Sequence, residues 1–197
     1  MRRLILVRHG ESVWNGQGRL QGQRDLPLSA IGRRQVGRLA ALIAEIGPDV
    51  VVTSDLVRAR ETCALLGHPE AGPDARWREA DLGDWTGRLT ADLQAAGDGR
   101  YAAWRAGSYT PDGGESPEGL RARVGEALSA ILGDGRTWLV VSHGGPIRAA
   151  IGIVLNLPVA RLAPVAPASA TVIDLDGQPR LLAYNLTPRH APGDVPD

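Results

Sequence analysis

Leu4-Ile5-Leu6-Val7-Arg8-His9-Gly10-Glu11-Ser12 is the stretch that decides the fold. Its first four residues are apolar and β-prone, with no polar face. Such a strand is covered on both sides, as in a parallel sheet sandwiched by helices. Val50-Val51-Val52 and Trp138-Leu139-Val140-Val141 repeat the pattern. Helical stripes alternate with these runs, so the chain reads as α/β.

Val36, Leu39, Ile43 and Ile46 recur at helical spacing after Ser29, which predicts a helix capped by that serine. Leu56, Ala59, Cys63 and Leu66 form a second stripe, with Ser54 or Asp55 as the expected cap. Leu120, Val124, Leu128 and Ile131 form a third, with Ser116 as cap and Pro117 at the first helical position. Asp176-Gly177-Gln178-Pro179 separates two β-prone runs and predicts an edge hairpin. The region from about 80 to 115 has weaker periodicity and is expected to be a small helical cap insertion over one end of the sheet. A single domain over 1–190 is expected, with a flexible tail over 191–197 rich in Pro, Gly and Asp.

The 22 Lys and Arg residues balance 22 Asp and Glu residues, so no general affinity for nucleic acid or a membrane surface is implied. An anion site must therefore be local. The single cysteine, Cys63, excludes an internal disulfide framework, and its place on an apolar stripe makes it core. The apolar run at the N-terminus is too short for a signal segment or a spanning helix, which leaves the cytoplasm as the expected location.

All three strand runs end in chemically capable residues: Arg8-His9-Gly10, Thr53-Ser54-Asp55 and Ser142-His143-Gly144-Gly145. In open α/β sheets ligands bind beyond the carboxyl ends of the strands, so parallel neighbours would bring His9 and His143 to one crevice. Arg58 joins them from the first turn of the following helix. Two imidazoles with two permanently charged guanidiniums repel a cation but suit a phosphoryl group, and no metal or cofactor is expected. Backbone N–H groups at helix N-termini after Gly10 and Gly144 are expected to add donors. A neutral His9 could attack phosphorus, with the arginines stabilising the transition state. A protonated His143 would add an electrostatic contact once a dianion is bound. The leaving oxygen needs a proton, and Glu11, Glu79, Asp81, Asp84 and Glu115 are all candidates for the acid. The Gly16-x-Gly18-x-x-x-Gly22 run lacks the spacing of a dinucleotide fingerprint or a P-loop.

These residues carry a resemblance. Arg8-His9-Gly10-Glu11-Ser12-x-Trp14-Asn15, Gly18-Arg19-Leu20-Gln21-Gly22 and Pro27-Leu28-Ser29-x-x-Gly32 resemble the histidine phosphatase superfamily. So do Ser54-Asp55-Leu56-x-Arg58-Ala59-x-x-Thr62, Glu79-x-x-x-Gly83-x-Trp85-x-Gly87, Gly113-Gly114-Glu115-Ser116 and Ser142-His143-Gly144-Gly145-x-Ile147-Arg148. The resemblance runs in order from Leu4 to about Leu157. It implies a phosphoglycerate mutase-like three-layer α/β sandwich with a mostly parallel central sheet flanked by helices. It also implies His9 as nucleophile, Arg8, Arg58 and His143 as phosphate ligands, and Glu79 as general acid. Asn15, Gln21 and Gly144 match positions that line the phosphate pocket.

The implied reaction is metal-independent hydrolysis of a small-molecule phosphate monoester through a phosphohistidine. Cofactor-dependent phosphoglycerate mutases share the superfamily, but they are longer, and Gly83-Asp84-Trp85-Thr86-Gly87 resembles the phosphatase branch. Thr86 departs from that branch, which commonly carries Glu there. Length and motifs resemble broad-specificity phosphatases, glucosyl-3-phosphoglycerate phosphatases and α-ribazole phosphatases alike. A non-catalytic phospho-ligand binding module is the remaining alternative. Trp85, Tyr101, Trp104 and Tyr109 are expected to offer stacking faces to a substrate, whereas Trp77 and Trp138 are expected to pack. A homodimer through the exposed sheet edge is compatible with this reading.

Overall fold

The three apolar runs lie side by side at the centre of one sheet. The computed structural model describes residues 2–187, so the tail expected over 191–197 lies outside the described residues. The strands are β1 (Arg3–Arg8), β2 (Val50–Thr53), a two-residue β3 (Gly72–Pro73), β4 (Trp138–Ser142), β5 (Ala170–Asp174) and β6 (Arg180–Leu186). Their spatial order is β3-β2-β4-β1-β5-β6. The first four of that series are parallel, and β5 runs antiparallel to both β1 and β6. The sheet is therefore mixed, with the predicted hairpin forming its β6 edge.

The uninterrupted apolar reading of β1 has a direct structural counterpart. Leu4, Ile5, Leu6 and Val7 are all fully buried, but they serve opposite layers. Ile5 and Val7 pack with Val36, Leu39 and Ile43 of one helical layer and with Ala59 and Cys63. Leu4 and Leu6 pack with Val124, Leu128, Ile131, Ile147 and Ile151 on the other face. Burying one such side chain contributes about 1.5–3 kcal/mol, so a polar residue on either face of β1 would be costly.

The helices are α1 (Val13–Gly16), α2 (Ala30–Ile46), α3 (Val57–Leu65), α4 (Thr90–Ala95), α5 (Arg100–Ala106), α6 (Pro117–Leu132) and α7 (Gly144–Val154). Ser29 caps α2 and Ser116 caps α6, each hydroxyl accepting from a backbone N–H three residues on. The cap expected for α3 is wrong. Leu56 occupies the position without a side-chain bond, and the Asp25 carboxylate accepts from Val57 N at 2.7 Å. Ser54 and Asp55 are committed elsewhere, to His143 and Arg78.

The segment from 80 to 115 holds a short 3₁₀ turn at Gly83–Trp85 and the helices α4 and α5. Trp85 lies at its centre, with Tyr101, Trp104 and Tyr109 rings 5.4–6.4 Å away. Among the described residues, no helix is long and apolar enough to cross a membrane.

Candidate active site

The parallel pairing of β1 with β4, and of β4 with β2, brings three strand ends to one crevice. His9 N donates to the Ser142 carbonyl, and Ser54 N donates to the Val141 carbonyl, so the ladder continues into the loops. Gly10 is needed here. A Cβ at Gly10 would lie 2.6 Å from the Gly32 carbonyl oxygen, and one at Gly32 would lie 2.0 Å from the Glu11 carbonyl oxygen. The His9 loop thus rests directly on the first turn of α2.

His9 is 2% exposed, and its ring is oriented by its own loop. Nδ1 lies 2.6 Å from the Gly10 carbonyl oxygen, which requires a proton on Nδ1. Nε2 is then the lone-pair nitrogen, and Arg58 Nε donates to it at 3.3 Å. Burial, then the charges of Arg58 and Arg8, hold the His9 pKa well below the usual imidazole value. The neutral tautomer with Nε2 unprotonated is the form a nucleophile needs, and the Arg58 hydrogen bond must leave Nε2 before it can attack.

Arg58 is almost fully buried in the first turn of α3. Its Nη atoms donate to the Arg24 and Gly22 carbonyls at 2.8 and 2.9 Å. Burial lowers its pKa to about 10, partly offset by Glu79 and Asp25, so it remains a cation at neutral pH. Arg8 donates through Nη1 to the Val165 carbonyl, while its buried Nε has no partner. His143, fully buried, lies 5.0 Å from His9 between ring centroids. Its Nε2 is 2.9 Å from Ser54 Oγ, and burial followed by Arg58, His9 and Arg8 depresses its pKa strongly. Without an anion, the site therefore favours a neutral His143.

Arg8, His9, Asn15, Gln21, Arg58, Glu79 and Gly144 line one cavity of about 400 Å³. His143 stands behind them, its buried Nδ1 without a partner. Gln21 is buried, and its Oε1 has no partner either. Asn15 Oδ1 accepts from Ser12 N and Oγ, closing a capping box on α1. A helix, α7, does begin at Gly144 on the cavity wall, whereas none begins directly after Gly10. Gly10 N is spent on Thr62 Oγ1 at 3.1 Å, and α1 begins three residues later.

The five carboxylates separate by position. Glu11 accepts from Ser29 Oγ at 2.6 Å and does not line the cavity. Asp81 and Asp84 are exposed outside it, Asp81 accepting from Gly83 N. Glu115 lines the cavity but is locked in a two-point ion pair with Arg123, at 2.9 and 2.6 Å. Glu79 lines the cavity, with Oε1 3.1 Å from Gly145 N, and its charge acts on both Arg8 and Arg58. Arg123 also donates to the Arg76 and Arg78 carbonyls, so the Glu115–Arg123 pair clamps the segment leading to Glu79.

The stacking expectation needs correction. Trp104 and Tyr109 reach the cavity, but Trp85 is 2% exposed and Tyr101 also lies off the lining, because both build the apolar centre of the cap. Trp77 is core, and burial pushes the Cys63 thiol up to about 12. Trp138 packs partly against the core, its Nε1 donating to Asp134. Arg105, Arg121 and Arg148 also line the cavity and were not foreseen. One signal existed: Arg148 interrupts the otherwise apolar Ile147-Arg148-Ala149-Ala150-Ile151 run of α7.

The family model for the histidine phosphatase superfamily (branch 1) matches residues 4–187. The chain belongs to the histidine phosphatase superfamily. A glucosyl-3-phosphoglycerate phosphatase of Mycolicibacterium vanbaalenii is 38% identical over 172 residues, covering 81% of this chain and 76% of the relative. A probable phosphoglycerate mutase GpmB of Klebsiella pneumoniae is 36% identical over 169 residues, covering 80% and 77%. Among solved structures, the mycobacterial glucosyl-3-phosphoglycerate phosphatase Rv2419c complexed with VO3 superposes with a TM-score of 0.85 at 34% identity, covering 95% of this chain and 100% of that one. The phosphoglycerate mutase-like α/β fold expected of this superfamily is the one observed.

Proposed function

We propose that this histidine phosphatase hydrolyses small-molecule phosphate monoesters through a phosphohistidine on His9, without a metal, and that glucosyl-3-phosphoglycerate is its leading candidate substrate. The observation that carries the reading is the His9 tautomer. With Nδ1–H held on Gly10, Nε2 is left unprotonated, accepting only from Arg58 Nε, a donor that an incoming phosphoryl oxygen would take over. In the first step Nε2 forms an N–P bond as the ester P–O bond breaks, and Glu79 gives its proton to the leaving oxygen. Arg8, Arg58, a protonated His143, Gln21 and the Gly144 N–H take the equatorial charge. Asn15 braces the loop that carries His9. In the second step Glu79 accepts a proton from water, whose oxygen attacks phosphorus and returns Nε2 to its starting state.

Turnover of p-nitrophenyl phosphate in EDTA, lost in His9→Ala, is the expected result, with acid-labile phosphate trapped on His9. Chelator-sensitive turnover would refute the mechanism. Glucosyl-3-phosphoglycerate should be preferred over α-ribazole phosphate and simple sugar phosphates. Similarity to a probable phosphoglycerate mutase supports a second reading. Interconversion of 2- and 3-phosphoglycerate with bisphosphoglycerate, faster than phosphate release, would establish it.

A further inference from the structure

His9 Nδ1 keeps its proton because the Gly10 carbonyl lies 2.6 Å away, so whatever orients that carbonyl also chooses the tautomer. The carbonyl belongs to the Gly10–Glu11 peptide, which is trans, and its C=O and N–H therefore point to opposite sides. On the far side, Glu11 N donates to Gln35 Oε1 at 3.0 Å. Gln35 is half-buried on α2, three residues after Gly32 and on the same helix face. A Cβ at position 32 would lie 2.0 Å from the Glu11 carbonyl oxygen, so it is the glycine there that lets the loop come within reach of Gln35.

The neighbouring bonds hold other peptides. Thr62 Oγ1 accepts from Gly10 N, on the His9–Gly10 unit, and the Glu11 carbonyl accepts from Ser29 N, on the unit that follows. Glycine at position 10 leaves the peptide between them free to turn over, with no Cβ to oppose the change. A flipped peptide would present Glu11 N–H to His9 Nδ1, which would have to accept it, and the ring proton would move to Nε2. That tautomer has no Nε2 lone pair with which to attack phosphorus. Arg58 Nε also favours an unprotonated Nε2, but through a longer contact of 3.3 Å that it gives up when a phosphoryl oxygen enters.

We propose that Gln35 is a positioning residue for the nucleophile: its amide oxygen locks the Gly10–Glu11 peptide in the orientation that keeps the proton on His9 Nδ1 and off Nε2. This rests on the reading of His9 as nucleophile and adds the residue that prepares it. Gln35 does not line the cavity, so it acts on the chemistry through this peptide and not through substrate.

Gln35→Met removes the acceptor at similar size and helix propensity, and Gln35→Glu restores one. Nitrogen NMR of isotopically labelled histidine above neutral pH reads the tautomer, with the His9 signals identified among the four histidines by their loss in His9→Asn. The unaltered protein should carry the proton on Nδ1, and the Nε2–H form should appear in Gln35→Met. In that variant kcat/KM should fall about tenfold, the scale of one hydrogen bond's net contribution. The factor should be the same for p-nitrophenyl phosphate and for an alkyl phosphate, because both depend on attack by Nε2. Gln35→Glu should return both readings to those of the unaltered protein. Nδ1–H fully retained in Gln35→Met, or a tautomer change that leaves kcat/KM unaltered, would overturn the role. So would Nε2–H in the unaltered protein, or a loss that Gln35→Glu fails to reverse. Gln35→Ala serves in the same comparison if Gln35→Met does not fold. Absence of p-nitrophenyl phosphate turnover in the unaltered protein would instead count against the hydrolase reading, and the NMR comparison would still decide whether Gln35 sets the tautomer.

Discussion

Gly145→Ala should separate the acid from the rest of the site. A Cβ there would lie 2.3 Å from Glu79 Oε1, the atom that accepts from Gly145 N at 3.1 Å. Ordinary carbon–oxygen contact begins near 3.4 Å, so the carboxylate must retreat by about 1 Å, a displacement that can cost about 10²-fold in rate. The φ of Gly145 is not in the left-handed region, so alanine itself adds no backbone strain. For an alkyl phosphate, whose leaving oxygen must be protonated, kcat/KM should fall about a hundredfold, equivalent to about 2.7 kcal/mol of transition-state stabilisation. For p-nitrophenyl phosphate the leaving phenolate needs little help, and kcat/KM reports only phosphorylation of His9. It should hold to within about threefold. Its kcat should fall, however, because hydrolysis of phosphohistidine still needs Glu79, and a burst of p-nitrophenolate should appear in rapid mixing. Equal losses of kcat/KM on both esters would refute the assignment of Glu79 as acid.

Three further outcomes are expected. Because both His9 and His143 titrate below their unfolded value near 6.5, the unfolded chain binds more protons as pH falls. Stability is complete above that pH and declines below it, by up to about 1.4 kcal/mol per histidine per pH unit, until the folded-state pKa values are passed. The melting temperature should therefore drop by several degrees between pH 6.5 and 5.5, and a flat profile there would contradict the buried neutral imidazoles. Ser54→Ala removes the partner of His143 Nε2, leaving a buried ring without a hydrogen bond, and should cost about 1–3 kcal/mol in urea unfolding. Gly37→Ala sits mid-α2 with open space at its Cβ, and should raise stability by about 0.5–1 kcal/mol on the same assay.

The strand ends were legible because burial and chemistry change abruptly at one residue. Val7 is wholly enclosed, and His9 two positions later faces a cavity. The caps at Ser29 and Ser116 were legible for a related reason, since each precedes a clean apolar stripe. Ser54 and Asp55 misled because a hydroxyl or carboxylate before a helix is a cap only when nothing stronger claims it. Here His143 and Arg78 do, from 89 and 23 residues away. Glu79 could not be told from Asp81 by local physics, as their difference rests on the distant contact with Gly145 N. The cap was least legible of all. Its aromatic residues divide between an apolar centre and the cavity wall according to short-helix packing that leaves no period in the sequence.

This division has a functional consequence. His9 and His143 stand at the ends of sheet strands and Arg58 in the first turn of α3, in positions set by the central ladder and by two helical layers. Glu79 stands instead on a nonhelical stretch between sheet and cap, held by Gly145 N at one end and by the Arg123 clamp on the preceding carbonyls. Arg123 belongs to α6, whose apolar face packs into the same core as β1 and β4. Glu79, the proposed acid, is thereby referenced to the sheet through α6 and α7 rather than to the cap. The cap residues beyond it, Arg105, Trp104 and Tyr109 among them, line the same cavity without bonding to His9 or Glu79, the proposed nucleophile and acid. Arg148, on the helix that also carries Gly145, reaches across to the Arg105 carbonyl of the cap at 2.9 Å, and so ties α7 to the cap side of the cavity.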